Sequence, residues 1–171
     1  MPALKDVLCP HPRLLLVGIN PGLRSGATGH HFAGLGNPFW RLLFAAGLTP
    51  RLLTPEEDQK LADFGIALTN LCPRTTRSAA ELTAAERARG RRALFRKCNA
   101  LEPEGVGLVG VTVYTAIFGA RAGGGAGPKP ERLGQAPVFV VPNPSGLNAS
   151  YPGFADKLIW YQRLREFVDQ R

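Results

Sequence analysis

Cysteine is scarce in this 171-residue chain, and its three copies, Cys9, Cys72 and Cys98, are an odd number at wide spacings. No disulfide framework and no CxxC-type zinc or iron–sulfur site fits that pattern, which suits a reducing cytosol. Histidine is equally scarce, with three. No Cys or carboxylate stands close in sequence to His30 and His31, so no metal is expected, and no other cofactor. Long apolar runs are missing too. Residues 14–18 and 138–141 are among the longest, far short of the about 20 residues that a membrane helix needs, so no membrane partner is expected. Residues 1–13 hold no apolar signal segment. Lysine is absent between Lys5 and Lys60, and GxxxxGKS/T does not occur after the first apolar run, which excludes a P-loop.

What is present describes a folded domain. Hydrophobic residues make up 44% and charged residues 20%, the balance of a globular chain with a sizeable core. Against 13 Asp and Glu stand 21 Lys and Arg, a net charge of +8. A polyanionic partner exploits such a charge, and nucleic acid is the first candidate. Arg supplies 16 of those 21, a bias that codon usage also produces, so charge alone does not decide.

Residues 13–19 read as a strand buried on both faces. A Gly-rich loop follows, over residues 20–36. Asn37 as N-cap, Pro38 at the first helical position and Gly47 as C-cap predict a helix between them. Thr54-Pro-Glu-Glu starts another. Residues 66–69, 106–111 and 138–141 read as further buried strands. Thr83 and Glu86 form a capping box that opens a helix to about residue 100. Residues 112–119 and 155–168 predict two more helices, with Gly and Pro clusters making 121–133 a loop. Strands alternating with helices imply one α/β domain over residues 1–171. The expected form is a three-layer α/β/α sandwich with a short, mainly parallel central sheet of about four strands.

In open parallel sheets, ligands bind beyond the carboxyl ends of the strands. Two loops of similar chemistry fall there: Gly18-Ile-Asn-Pro-Gly22 after the first strand and Asn143-Pro-Ser-Gly-Leu147 after the last. Each offers an Asn, a Pro that fixes the backbone and a Gly that permits close approach. Either alone is an ordinary Asn-Pro turn; the pair at two strand ends favours a site.

From Gly18 onward the sequence resembles the mismatch-specific uracil/thymine DNA glycosylases, a branch of the uracil-DNA glycosylase superfamily. The likeness runs through Gly29-His-His-Phe-Ala33, Gly36-Asn-Pro-Phe-Trp40, Gly65-Ile-Ala-Leu-Thr-Asn-Leu71, Arg74-Thr-Thr76 and Asn143-Pro-Ser-Gly-Leu147, in family order, over roughly residues 13–170. The resemblance implies a monofunctional, base-flipping glycosylase acting on uracil mispaired with guanine in double-stranded DNA. It also implies a uracil-DNA glycosylase-like fold, working as a cytosolic, DNA-associated monomer. It gives Asn20 the positioning of the hydrolytic water and Phe32 the stacking on the flipped base, with Ile19, His31 and Asn70 beside that base. Leu147 becomes the wedge that fills the vacated stack, next to Asn143, Ser145 and Gly146 in the DNA-binding loop. The alternative kept open is a catalytically weak module that binds damaged or mismatched DNA.

The chemistry agrees with that implication. Cleaving an N-glycosidic bond passes through an oxocarbenium-like sugar. Uracil leaves as a tolerable anion, so a group that orients water suffices, and a carboxamide does so without titrating. Arg24 and Arg74, in the loops near the strand ends, are phosphate candidates. The basic run at residues 87–97 reads as a solvated helix face spread around its axis. Gly105-Val-Gly-Leu-Val-Gly110 matches GxGxxG but lies within a strand, so it is no dinucleotide fingerprint. Phe39, Trp40 and Phe44 have the spacing of core residues. Ser25 is in no GxSxG elbow.

Overall fold

The first strand is apolar at every position because both of its faces are covered. In the computed structural model, which describes residues 4–119, 124–145 and 148–170, β1 (Leu14–Gly18) sends Leu14 and Leu16 into one core and Leu15 and Val17 into the other. Its neighbours are β2 (Ile66–Asn70) and β3 (Val106–Val109), both parallel to it. The sheet is completed by β4 (Gly127–Leu133) and β5 (Ala136–Val141), in the order β2-β1-β3-β5-β4, with β4 alone antiparallel. The first core is closed by α2 (Phe39–Ala45) and α5 (Phe154–Asp169), through Phe39, Leu42, Leu43, Tyr161 and Leu164. The second is closed by α3 (Ala84–Leu101) and α4 (Val111–Phe118), through Leu94, Cys98, Val113, Tyr114 and Ile117. This is the expected three-layer α/β/α sandwich around a mainly parallel sheet. Among the described residues no helix is long and apolar enough to cross a membrane.

Local chemistry explains the element boundaries. Asn37 Oδ1 accepts the Phe39 N–H at 3.0 Å at the start of α2. A capping box at Thr83 and Glu86 opens α3. Thr54 and Glu57 make another, but the helix they open, Pro55–Phe64, winds as 3₁₀.

Two expectations need correction. Residues 127–133, expected as loop, form β4. It is an edge strand with alternating burial and an irregular register between Lys129 and Arg132, which accommodates Pro128 and Pro130. The sheet therefore has five strands. Within the expected loop 20–36, residues Leu23–Thr28 form a short helix, α1, closed by Gly29 at φ +76°. Its Gly26 lies so close to the Thr75 side chain that an added Cβ would clash with it.

Helix α3 crosses the chain just after β2 at Gly90. A Cβ there would fall 2.2 Å from the Leu71 carbonyl oxygen, which is backbone and cannot swing aside. Gly90→Ala is therefore expected to cost about 1–3 kcal/mol through overpacking. That lowers Tm by roughly 2–10 °C for a chain of this size, read by thermal melt. An unchanged Tm would show that α3 docks elsewhere.

Candidate active-site cleft

The chain leaves β1 toward β2 on one side and later returns to β3 on the other, so the carboxyl ends of β1 and β3 form a topological switch point. A cleft of about 330 Å³ opens there. In the β1–β2 register Gly18 lies opposite Asn70. A Cβ on Gly18 would come within 2.6 Å of Asn70 Oδ1 and 3.4 Å of the Phe32 ring. The absent side chain at Gly18 is thus what lets the Asn70 amide and the Phe32 ring converge on one floor.

Asn20 follows directly. Its Nδ2 donates to Thr76 Oγ1 at 2.7 Å, to the Arg74 carbonyl at 2.9 Å and more weakly to the Pro21 carbonyl at 3.3 Å. Thr76 Oγ1 spends its own proton on the Ser78 carbonyl at 2.8 Å, so it can only accept from Asn20. This network fixes which end of the amide is nitrogen. Oδ1 is left without a donor among the described residues. Backbone bonds from Leu71 N–H to Gly18, Cys72 N–H to Ile19 and Thr76 N–H to Pro21 stitch the two loops together.

Phe32 has a left-handed backbone, φ +48°, which an aromatic residue adopts only when its surroundings impose it. Both flanks are anchored. Asp58 Oδ2 accepts the His31 N–H at 3.0 Å, Trp40 Nε1–H donates to the His31 carbonyl at 3.2 Å, and Ser25 Oγ accepts the Ala33 N–H at 3.1 Å. One face of the Phe32 ring is stacked on Phe39, with centroids 3.8 Å apart and planes at 14°. Its ring also lines the cleft.

The structure brings Ile19, Asn20, Arg24, His31, Phe32, Asn70, Asn143 and Ser145 to this one cleft. Asn143 Oδ1 accepts from both the N–H and the hydroxyl of Ser145, at 3.0 and 2.9 Å, closing the loop after β5 into a turn. Gly146 and Leu147 lie outside the described residues.

Two expected residues are committed elsewhere. His31 is buried, and its Nε2 lies 2.8 Å from the Lys5 carbonyl, so that nitrogen carries the proton. Burial pushes its pKa down, which keeps the ring neutral at pH 7. Arg74 does not line the cleft. Its guanidinium forms two bonds to the Glu86 carboxylate, at 2.7 and 2.9 Å, and holds that carboxyl at about 2. Its contribution to the site is instead the carbonyl that accepts from Asn20. Arg77, which sequence reasoning missed, lines the cleft with Arg24, and neither has an anionic partner among the described residues.

Thr76 and Asp58 were also missed as site residues. Thr76 stands in the motif segment 74–76, but its bond to Asn20 spans 56 residues of sequence. Asp58 had no signal beyond being an acid in a first helical turn. It is 2% exposed, and its second oxygen lies 3.4 Å from His30 Nδ1, out of hydrogen-bond geometry. His30 is thereby turned toward this carboxylate, and it does not line the cleft. The described lining residues include no Asp, Glu or Lys.

Amides with one end still open, one aromatic face and guanidinium groups without an anionic partner among the described residues, gathered at the end of a parallel sheet, suit a polar planar ring carried on a polyanion. The sequence narrows that class further. The family model of the uracil DNA glycosylase superfamily matches residues 5–165, and the chain belongs to that superfamily. It is accordingly a DNA glycosylase of the uracil-acting kind, a hydrolase whose partner is DNA.

Asp58 provides a test of how the Phe32 loop is held. Asp58→Ala leaves the buried His31 N–H without an acceptor, at a cost of about 1–3 kcal/mol. Asp58→Asn keeps an oxygen there and is expected to lose less than half as much by thermal melt. Equal losses would show that the charge, and not the hydrogen bond, holds the loop.

Proposed function

We propose that this glycosylase removes uracil, and other pyrimidines of similar size, mispaired with guanine, from nucleotides flipped out of the duplex. The observation that carries the proposal is the open Oδ1 of Asn20 beside the free face of the cleft. With Nδ2 already held by three oxygens, Oδ1 accepts a hydrogen bond from one water and aims its oxygen at C1′. As the C1′–N1 bond breaks, its electron pair leaves with the base as an anion, and positive charge builds on the sugar. The water oxygen bonds to C1′ and releases its proton to solvent or to the departing base. The products are free uracil and an abasic site.

Each remaining role follows from side-chain chemistry. Phe32 offers a π-face on which a base stacks, worth roughly 1–3 kcal/mol. The Asn70 amide carries both a donor and an acceptor, matching the adjacent N–H and C=O of a pyrimidine edge. Arg24 and Arg77 neutralise phosphates. Leu147, with Gly146, enters the stack in place of the extruded base. A wobble pair costs less to open than a Watson–Crick pair, which favours mismatches without any extra contact. The described lining residues hold no lysine to form a Schiff base, which supports simple hydrolysis without strand cleavage.

Asn20→Ala is the decisive variant. In single-turnover assays on U·G duplex, with alkali to reveal abasic sites, it is expected to lose at least about a hundredfold in excision. Binding of the same duplex should stay within about threefold of wild type. Excision within about threefold of wild type would remove Asn20 from the mechanism. Wild-type rates in the order U·G, then U·A, are expected from the opening cost; the reverse order would remove the mismatch preference.

A further inference from the structure

The basic run on α3 is not spread evenly around its axis. Arg89, Ala93, Arg96 and Lys97 share one face and line a second groove, of about 520 Å³, against the N-terminal segment and the turn after β2. Leu4, Pro21 and Asn70 line both this groove and the cleft, so a common wall divides them.

The charges in the groove are unequal in an informative way. Asp6 is held by Lys97 at 2.7 Å, and Glu86 by the two bonds from Arg74. Each carboxylate lining the groove therefore has its own cation. Arg89 and Arg96 are exposed and have no anionic partner among the described residues. Two turns of helix separate their backbones, about 10 Å along the axis, a gap that two long arginine side chains span to reach neighbouring phosphates of one strand. Two unpaired guanidiniums at that spacing, one wall away from a nucleotide pocket, complement a run of phosphates.

We propose that this groove holds the phosphodiester backbone of the target strand beyond the nucleotide in the cleft, with Arg89 and Arg96 each neutralising a phosphate. The assignment rests on the reading of the cleft as a nucleotide pocket. The strand that delivers its base over the Asn70 wall is the strand whose next phosphates reach α3.

Salt dependence separates this from general attraction. Binding of a U·G duplex is measured between about 50 and about 200 mM salt. Arg89→Gln/Arg96→Gln should reduce the log–log slope by about 1.8, so affinity changes about tenfold less over that range. Arg91→Gln/Arg92→Gln removes the same charge from α3 outside the groove, and should change the slope by less than half as much. Single-turnover excision at saturating enzyme should be unaffected by either pair. Neutral methylphosphonate linkages in the target strand, a few nucleotides to one side of the uracil, should abolish the difference between wild type and the Arg89/Arg96 variant. An unchanged slope, equal losses in both double variants, or an effect that follows methylphosphonates in the complementary strand would overturn the proposal. If the wild type binds duplex yet releases no base, the reading of the cleft falls while the slope still reports on the groove.

Discussion

At the end of β1 a single amide nitrogen, with two hydrogens to give, faces three oxygens: a hydroxyl that has already spent its proton and two backbone carbonyls. That crowding decides the orientation of Asn20, and the rest of the site is arranged around it. The acceptors come from residues 74–76 and from Pro21, so the loops after β1 and β2 must run side by side. Parallel pairing of β1 with β2 provides this, and its register also sets Gly18 against Asn70. One register slip would put a side chain where the cleft floor is and point Asn70 to the other face of the sheet.

The electrostatics of the molecule divide by depth. The cleft itself is lined by amides, hydroxyls and apolar atoms, with arginines among its lining and carboxylates absent from the described lining residues. On the proposed reading, cations would meet the phosphates while a neutral interior meets the base, the arrangement expected for a ligand whose charge is all in its backbone. The buried carboxylate nearby, Asp58, does not line the cleft and accepts instead from the loop that carries Phe32. Its effect is mechanical: together with Ser25 and Trp40 it imposes a backbone conformation that an aromatic residue would otherwise avoid.

How much of this was readable in advance depended on the range of the interactions. The buried strands were, because a strand covered on both faces must be apolar at every position, as residues 14–17 are. The capping box at Thr83 was, because both of its bonds are local. β4 was not, since Pro128 and Pro130 speak against a strand everywhere except at an edge, and being an edge is a property of the assembled sheet. α1 was hidden by Gly26, where an added Cβ would strike the Thr75 side chain, and by the glycines that flank the helix. The same contrast holds in the cleft. Asn20 and Asn143 were suggested by their places at strand ends, and Asn70 by the family resemblance of the segment that holds it. What His31 and Arg74 do with their polar atoms was not visible, since Lys5 and Glu86 are remote in sequence and nothing in their residue types announces the pairing.

The central claim is that excision depends on a positioned amide, which does not titrate, and not on a carboxylate base. The pH dependence of single-turnover excision on U·G duplex tests this most directly. Asn20 keeps one form across the range, and the depressed pKa of His31 keeps that ring neutral above its ordinary value near 6.5. The account predicts a rate constant that is flat within about twofold between pH 7 and 9. A rate that climbs about tenfold per pH unit across that window would reveal a titrating base and contradict it.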